Sequence, residues 1–126
     1  MTRLGYHHTA LRVRDLDVSI AFYEALGCRL IRIWGEPHAR NCMMDVGSGN
    51  ILEIFSGGKE DPQCCPKFEH IAFRTEDTDG DFAAALTAGA RPKNEPADVN
   101  IGGNYPVRIA FVYGPDDEVI EFFKEY

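Results

Sequence analysis

No stretch of this 126-residue chain approaches the roughly 20 consecutive apolar residues that a membrane-spanning helix requires. The opening MTRLGYHHTA also has no apolar core of signal-peptide length. A cytoplasmic protein with no membrane association is the resulting expectation. Basic residues are outnumbered, with 13 Lys and Arg against 20 Asp and Glu, for a formal net charge of -7. The chain therefore lacks the positive field that draws a protein to a phosphate backbone, and nucleic acid is not an expected partner. Paired cysteine motifs are missing too. Cys28, Cys42, Cys64 and Cys65 contain no CxxC spacing, which argues for reduced structural thiols rather than a disulfide framework or a zinc ribbon. One domain is expected at this length, burying roughly two-thirds of its unfolded surface without a covalent or metal staple.

What the chain does contain is a repeat. Residues 8–29, HTALRVRDLDVSIAFYEALGCR, align with residues 70–91, HIAFRTEDTDGDFAAALTAGAR, at an offset of 62. Identities fall at His8/His70, Ala10/Ala72, Arg12/Arg74, Asp15/Asp77, Asp17/Asp79, Ala21/Ala83, Gly27/Gly89 and Arg29/Arg91. Since the offset is almost half the chain, the simplest reading is two copies of one supersecondary unit.

Residues 5–13 read as a strand, after which Asp15 or Asp17 caps a helix with Val18, Ala21, Phe22, Ala25 and Leu26 on its apolar face, closed by Gly27. Further strands are expected at about 28–34, 40–46 and 50–55, divided by Gly35-Glu36-Pro37 and by Gly47-Ser48-Gly49-Asn50. The first module, about 4–56, is thus β-α-β-β-β, and a Gly-, Pro- and charge-rich linker covers about 57–67. A second module, about 68–126, starts with a strand at 68–75. A helix follows at 79–88, with Phe82, Ala85 and Leu86 on one face and Gly89 at its end. A short strand after Pro92, a loop over 94–106 with Gly102-Gly103, and strands at 107–113 and 118–124 around Gly114-Pro115-Asp116-Asp117 complete it.

Period-two alternation places His8, Ala10 and Arg12 on one face of the first strand, and His70, Ala72 and Arg74 on the matching face of its counterpart. Each module's last strand centres a carboxylate in an apolar run, Ile51-Leu52-Glu53-Ile54-Phe55 and Val119-Ile120-Glu121-Phe122-Phe123. Such a carboxylate costs several kcal/mol to desolvate unless it is paired or bound to a metal. Two histidines and two glutamates in matched positions therefore predict ligation of one divalent transition metal (Ni, Zn, Co, Mn or Fe) by His8, Glu53, His70 and Glu121. His7, on the opposite face of the strand, and His38, in a turn segment, are read as structural or solvated. Arg12 and Arg74 share the histidine-bearing face and are candidates for binding an acidic substrate group.

These residues resemble the vicinal oxygen chelate superfamily over nearly the whole chain. His8-Thr9-Ala10-Leu11-Arg12-Val13-Arg14-Asp15-Leu16, with Ser19-Ile20 and Phe22-Tyr23, is similar to the opening of bacterial glyoxalase I (lactoylglutathione lyase). Ile109-Ala110-Phe111-Val112, Pro115-Asp116 and Ile120-Glu121 are similar to its last two strands. The resemblance implies an α+β fold in which two βαβββ modules with curved mixed sheets form a metal-binding cleft. It implies a metal held by His8, Glu53, His70 and Glu121, and proton transfer between adjacent carbons of a substrate chelated through two neighbouring oxygens. Glu121 is then the favoured proton shuttle and Glu53 the second ligand and partner base. A small-molecule substrate is implied, an anionic thiol conjugate such as a glutathione hemithioacetal or a thioester, with Arg12 at a glutathione-contacting position. A homodimer is implied as well. Two alternatives share the scaffold: a methylmalonyl-CoA epimerase-like enzyme, and a non-catalytic ligand-binding protein of the bleomycin-resistance type. The segment 56–66 departs from glyoxalase I in lacking its asparagine-containing stretch, and Ile101 stands where a basic residue often precedes the glycine-bearing loop.

Overall fold

A computed structural model describes residues 3–25, 27–58, 68–115 and 117–126. The elements are β1 (Arg3–Arg12), α1 (Leu16–Ala25), β2 (Arg29–Trp34), β3 (Asn41–Asp45), β4 (Ile51–Phe55), β5 (Phe68–Thr75), α2 (Thr78–Thr87), β6 (Arg91–Ile101), β7 (Tyr105–Tyr113) and β8 (Val119–Glu125). Each half of the chain is thus β-α-β-β-β, as its repeat predicts. Cys64, Cys65, most of the expected linker, Leu26 and Asp116 lie outside the described residues. The chain divides into two compact units. One is His8–Glu69, and the other joins the residues up to His7 with His70–Tyr126.

Both helices start and stop by the same local chemistry. Asp15 Oδ1 accepts from Val18 N at 3.2 Å, and Asp77 Oδ1 accepts from Gly80 N at 2.9 Å, so the duplicated aspartate is an N-cap in both copies. At the other end, Gly27 N bonds Glu24 O while Cys28 N bonds Tyr23 O, and Gly89 N bonds Leu86 O while Ala90 N bonds Ala85 O. This double closure needs a left-handed residue, which Gly27 (φ 98°) and Gly89 (φ 110°) supply without a Cβ penalty.

Within His8–Glu69 the strand order is β2-β3-β4-β1, with β1 parallel to β4 and the other pairs antiparallel. The second unit has the order β5-β8-β7-β6, with β5 parallel to β8 and the others antiparallel. Each unit buries one sheet face under its helix. Leu16 and Ile20 pack with Cys42, Met44 and Ile54 in the first unit, and Phe82 packs with Ala110, Val112 and Phe122 in the second.

Two expectations are corrected. The face of α1 turned to the sheet carries Leu16 and Ile20, with Tyr23 against the same cluster, whereas Val18 and Phe22 are exposed. Both stripes are apolar at helical spacing, so periodicity could not choose between them. The segment 94–106 is not a loop. β6 and β7 form a long antiparallel hairpin whose turn falls at Gly102-Gly103, both at positive φ. β6 lies at the outer end of its unit's strand order and is almost wholly exposed. That position tolerates Pro92 and Pro96, with register shifts between Pro92 and Asn94 and between Asn94 and Ala97. Among the described residues no helix is long and apolar enough to cross a membrane.

Candidate functional site

The parallel ladders decide which side chains meet. In the first unit the register pairs Ala10 with Glu53, so Glu53 emerges on the face that carries His8, Ala10 and Arg12. His8 Nε2 lies 3.1 Å from Glu53 Oε1. The second unit repeats this: Ala72 pairs with Glu121, and His70 Nε2 lies 3.1 Å from Glu121 Oε1. None of these four side chains is more than 6% exposed. The predicted residues are thereby brought together as two like pairs, each turned away from its unit's helix. The His70 ring meets Phe111 edge to face, with centroids 5.4 Å apart.

The pair geometry tests the donors against a metal. The 3.1 Å separation found in both units is within reach of two donors that would each bind one ion at about 2.1 Å. Imidazole nitrogen with carboxylate oxygen also suits divalent transition metals. In each unit the buried imidazole and carboxylate are donors of a kind that could hold a metal ion.

Both candidate arginines are already engaged. Arg12 Nε donates to Glu69 Oε2 at 3.2 Å, its Nη1 donates to Ser56 O at 2.8 Å, and the guanidinium lies over the Phe55 ring. Arg12 therefore ties the end of β4 to the start of β5. Arg74 Nε lies 3.6 Å from Glu125 Oε1.

Tyr105 and His7 gather around Glu125, which is not among the predicted site residues. Tyr105 OH donates to Glu125 Oε2 at 2.6 Å, and His7 Nε2 lies 3.0 Å from that hydroxyl and 3.4 Å from Glu125 Oε1. The His7 ring stacks on Phe123 at a centroid distance of 4.0 Å. Burial would raise the Glu125 carboxyl, but the Tyr105 hydrogen bond and the charges of His7 and Arg74 hold it below the usual carboxylate range. His7 is thus a buried structural residue, not a solvated one. Glu125 had a visible signal: four residues beyond Glu121, it belongs to the same strand face. Tyr105 had none, because its strand was read as loop. His38 is exposed in the turn before β3. The Cys42 thiol is pushed up to about 11 by burial and by the Glu53 charge, so it behaves as an inert core residue.

Residues 5–122 match the Glyoxalase/Bleomycin resistance protein/Dioxygenase superfamily. The chain is 33% identical over 124 residues to a "probable lactoylglutathione lyase" of Vibrio parahaemolyticus, spanning 93% of this chain and 88% of that one. It is 32% identical to the lactoylglutathione lyase of Haemophilus influenzae, spanning 93% and 90%. Among solved structures, methylmalonyl-CoA epimerase from Mycobacterium tuberculosis superposes with a TM-score of 0.78 at 23% identity, over 99% of this chain and 90% of that one.

Proposed function

Because the chain belongs to the Glyoxalase/Bleomycin resistance protein/Dioxygenase superfamily, we propose that it is a metal-dependent lyase or isomerase of the glyoxalase I type. In this reading His8, Glu53, His70 and Glu121 bind one divalent ion, and the substrate is a small thiol conjugate such as a glutathione hemithioacetal. The observation that carries it is the duplicated His/Glu pair, buried and 3.1 Å apart in both units. Relatives at 32–33% identity named lactoylglutathione lyase support the same chemistry.

When bound, the metal supplies Lewis acidity toward two adjacent substrate oxygens. The chain's own contribution is to carry the substrate's proton. Glu121 takes it from one carbon on its carboxylate oxygen and returns it to the neighbouring carbon, with Glu53 as the partner base. Arg12 and Arg74 bind the substrate's polar groups. A homodimer and a cytoplasmic location belong to this reading, the first tested by light scattering and the second by cell fractionation.

The deciding experiment is metal stoichiometry followed by turnover. One metal per chain is expected, lost in His8→Ala and in His70→Ala alike, with hemithioacetal turnover restored by Ni, Co, Mn or Zn. Two metals per chain, or retention in either variant, would sink the shared centre. A second reading, an epimerase acting on an acyl-CoA thioester, is favoured by the likeness of the two pairs, since inversion at one carbon needs a base on each side. Exchange of the thioester α-proton with deuterated solvent, without hemithioacetal turnover, would select it.

A further inference from the structure

One buried carboxylate belongs neither to the His/Glu pairs nor to the group around Glu125. Asp81, in the first turn of α2, is 1% exposed, and among the described residues neither of its oxygens has a hydrogen-bond partner. We propose that Asp81 and the Thr78 hydroxyl bind a hard, oxygen-seeking divalent cation of the calcium class at the junction of α2 and β7.

The local roles open to this carboxylate are already filled. Asp77 caps the helix through Gly80 N. The exposed Asp79 complements the positive helix end while it holds Arg108 through two bonds, at 2.6 and 2.8 Å. Arg108 Nη1 also lies 3.3 Å from Asp98 Oδ1, so the guanidinium is committed. The repeated module does not require an acid here, since the offset of 62 puts the half-buried Ser19 of α1 at the same point. An unpaired carboxylate out of water is costly to keep ionised. A cation that neutralises it removes that cost.

The donors define the ion. Thr78, Asp81 and Phe82 are the buried residues of α2. Phe82 packs with Ala110 and Val112 of β7, and Thr78 Oγ1 donates to Arg108 O at 3.0 Å. That bond uses the hydroxyl hydrogen and leaves the oxygen's lone pairs for a cation. Three residues apart on a helix, Thr78 and Asp81 have Cβ atoms roughly 5–6 Å apart, a gap that one ion with bonds of about 2.3–2.6 Å can bridge. Carboxylate and hydroxyl are hard oxygen donors, unlike the imidazoles of the His/Glu pairs, which selects calcium or magnesium over a transition metal. Calcium suits the place better, because its geometry is adaptable, whereas magnesium keeps several waters for which so buried a side chain leaves little room. Local charge agrees: Asp77, Asp79 and Asp81 on the helix and Asp98 on β6 outnumber Arg108 and Lys124.

The test titrates the full chain with calcium chloride and with magnesium chloride, before and after saturation with zinc, so that the His/Glu donors cannot account for the response. Calcium should raise the melting temperature saturably and magnesium less, with amide shifts in NMR centred on Thr78, Asp81 and Arg108. Asp81→Asn keeps the shape and removes the charge. It should melt higher than the parent chain in the absence of divalent ions and lose the calcium response, with zinc binding unchanged. If that variant fails to fold, the parent chain's amide shifts decide. A calcium response retained in Asp81→Asn, shifts centred on exposed carboxylates elsewhere, or no response in the parent chain would overturn the site. An equal response to both ions would overturn the choice of calcium.

Discussion

The two halves of this protein differ least where they hold their histidine and glutamate, and most beyond it. His8 and His70 are 62 residues apart, but Glu53 and Glu121 are 68 apart. The six additional residues of the second half enlarge its outer hairpin: β2 and β3 have 6 and 5 residues, β6 and β7 have 11 and 9. At the same spacing of 68, Gly57 stands where the second half has Glu125. A Cβ on Gly57 would lie 3.7 Å from Arg12 Nη1. The first half thus leaves its arginine to a carboxylate from another strand, Glu69, whereas the second places one on β8 and fixes it with a tyrosine from the enlarged hairpin. Duplication kept the donor pair and changed the surroundings that can sort substrates.

The sharpest break of the likeness is chemical. Glu121→Gln and Glu53→Gln should each lower turnover, the proton-shuttling position by about 10²- to 10⁴-fold. Single-turnover assays of both variants at matched metal content identify the shuttle by the larger loss. Equal losses would favour a two-base mechanism, and no loss in either would remove both from catalysis.

Next in size is the layer behind the His/Glu pairs. Ile54 and Phe122 are equivalent, each buried against its own helix cluster. Phe122→Ala should cost about 3–5 kcal/mol and Ile54→Ala about 2–5 kcal/mol in urea unfolding. A cost under about 1 kcal/mol at either site would show that its half is loosely packed.

Metal removal follows. At a free metal concentration of about 100 times Kd, chelation should cost about 2.7 kcal/mol of stability. Calorimetry should show this as a lower melting temperature in EDTA that excess divalent ion reverses.

The smallest difference lies in the helix-start aspartates. Asp17 reaches Arg40 through one bond at 2.8 Å. Asp79 holds Arg108 through two, at 2.6 and 2.8 Å. The Arg108 hydrogen bonds hold the Asp79 carboxyl below its ordinary range, so its contribution is present above the unfolded pKa and is lost as pH falls through the folded one. Asp79→Asn should therefore flatten the acid limb of stability by less than about 1 kcal/mol, because the pair is exposed. Acid titrations followed by circular dichroism, on the variant and the parent chain, check this.

The ladder pairs and both helices were legible because their signals are local. Repeated Asp and Gly mark the helix ends, and one carboxylate in each apolar run marks a compensated charge. β6 was illegible for the opposite reason. Pro92, Asn94, Pro96, Asp98 and Asn100 lie on an exposed outer strand with one hydrogen-bonded neighbour, where no buried face imposes alternation. Losing β6 concealed Tyr105, and with it the group around Glu125. The stacking of His7 on Phe123 depends on tertiary packing that alternation does not encode.

One consequence concerns how each half closes. The strands that carry the His/Glu pairs are the first and last of their module, and the parallel ladder that joins them pairs His8 with Ile51, 43 residues on, and Ile71 with Ile120, 49 residues on. Hairpins between neighbouring strands cost less chain entropy to close, so these seams close late in folding. An ion gripping His8 with Glu53, and His70 with Glu121, would fasten both seams at once. The rate of metal uptake during refolding would then serve as a clock for completion of the two modules, and chelation should speed amide exchange along β1 and β5 before it reaches the outer hairpins.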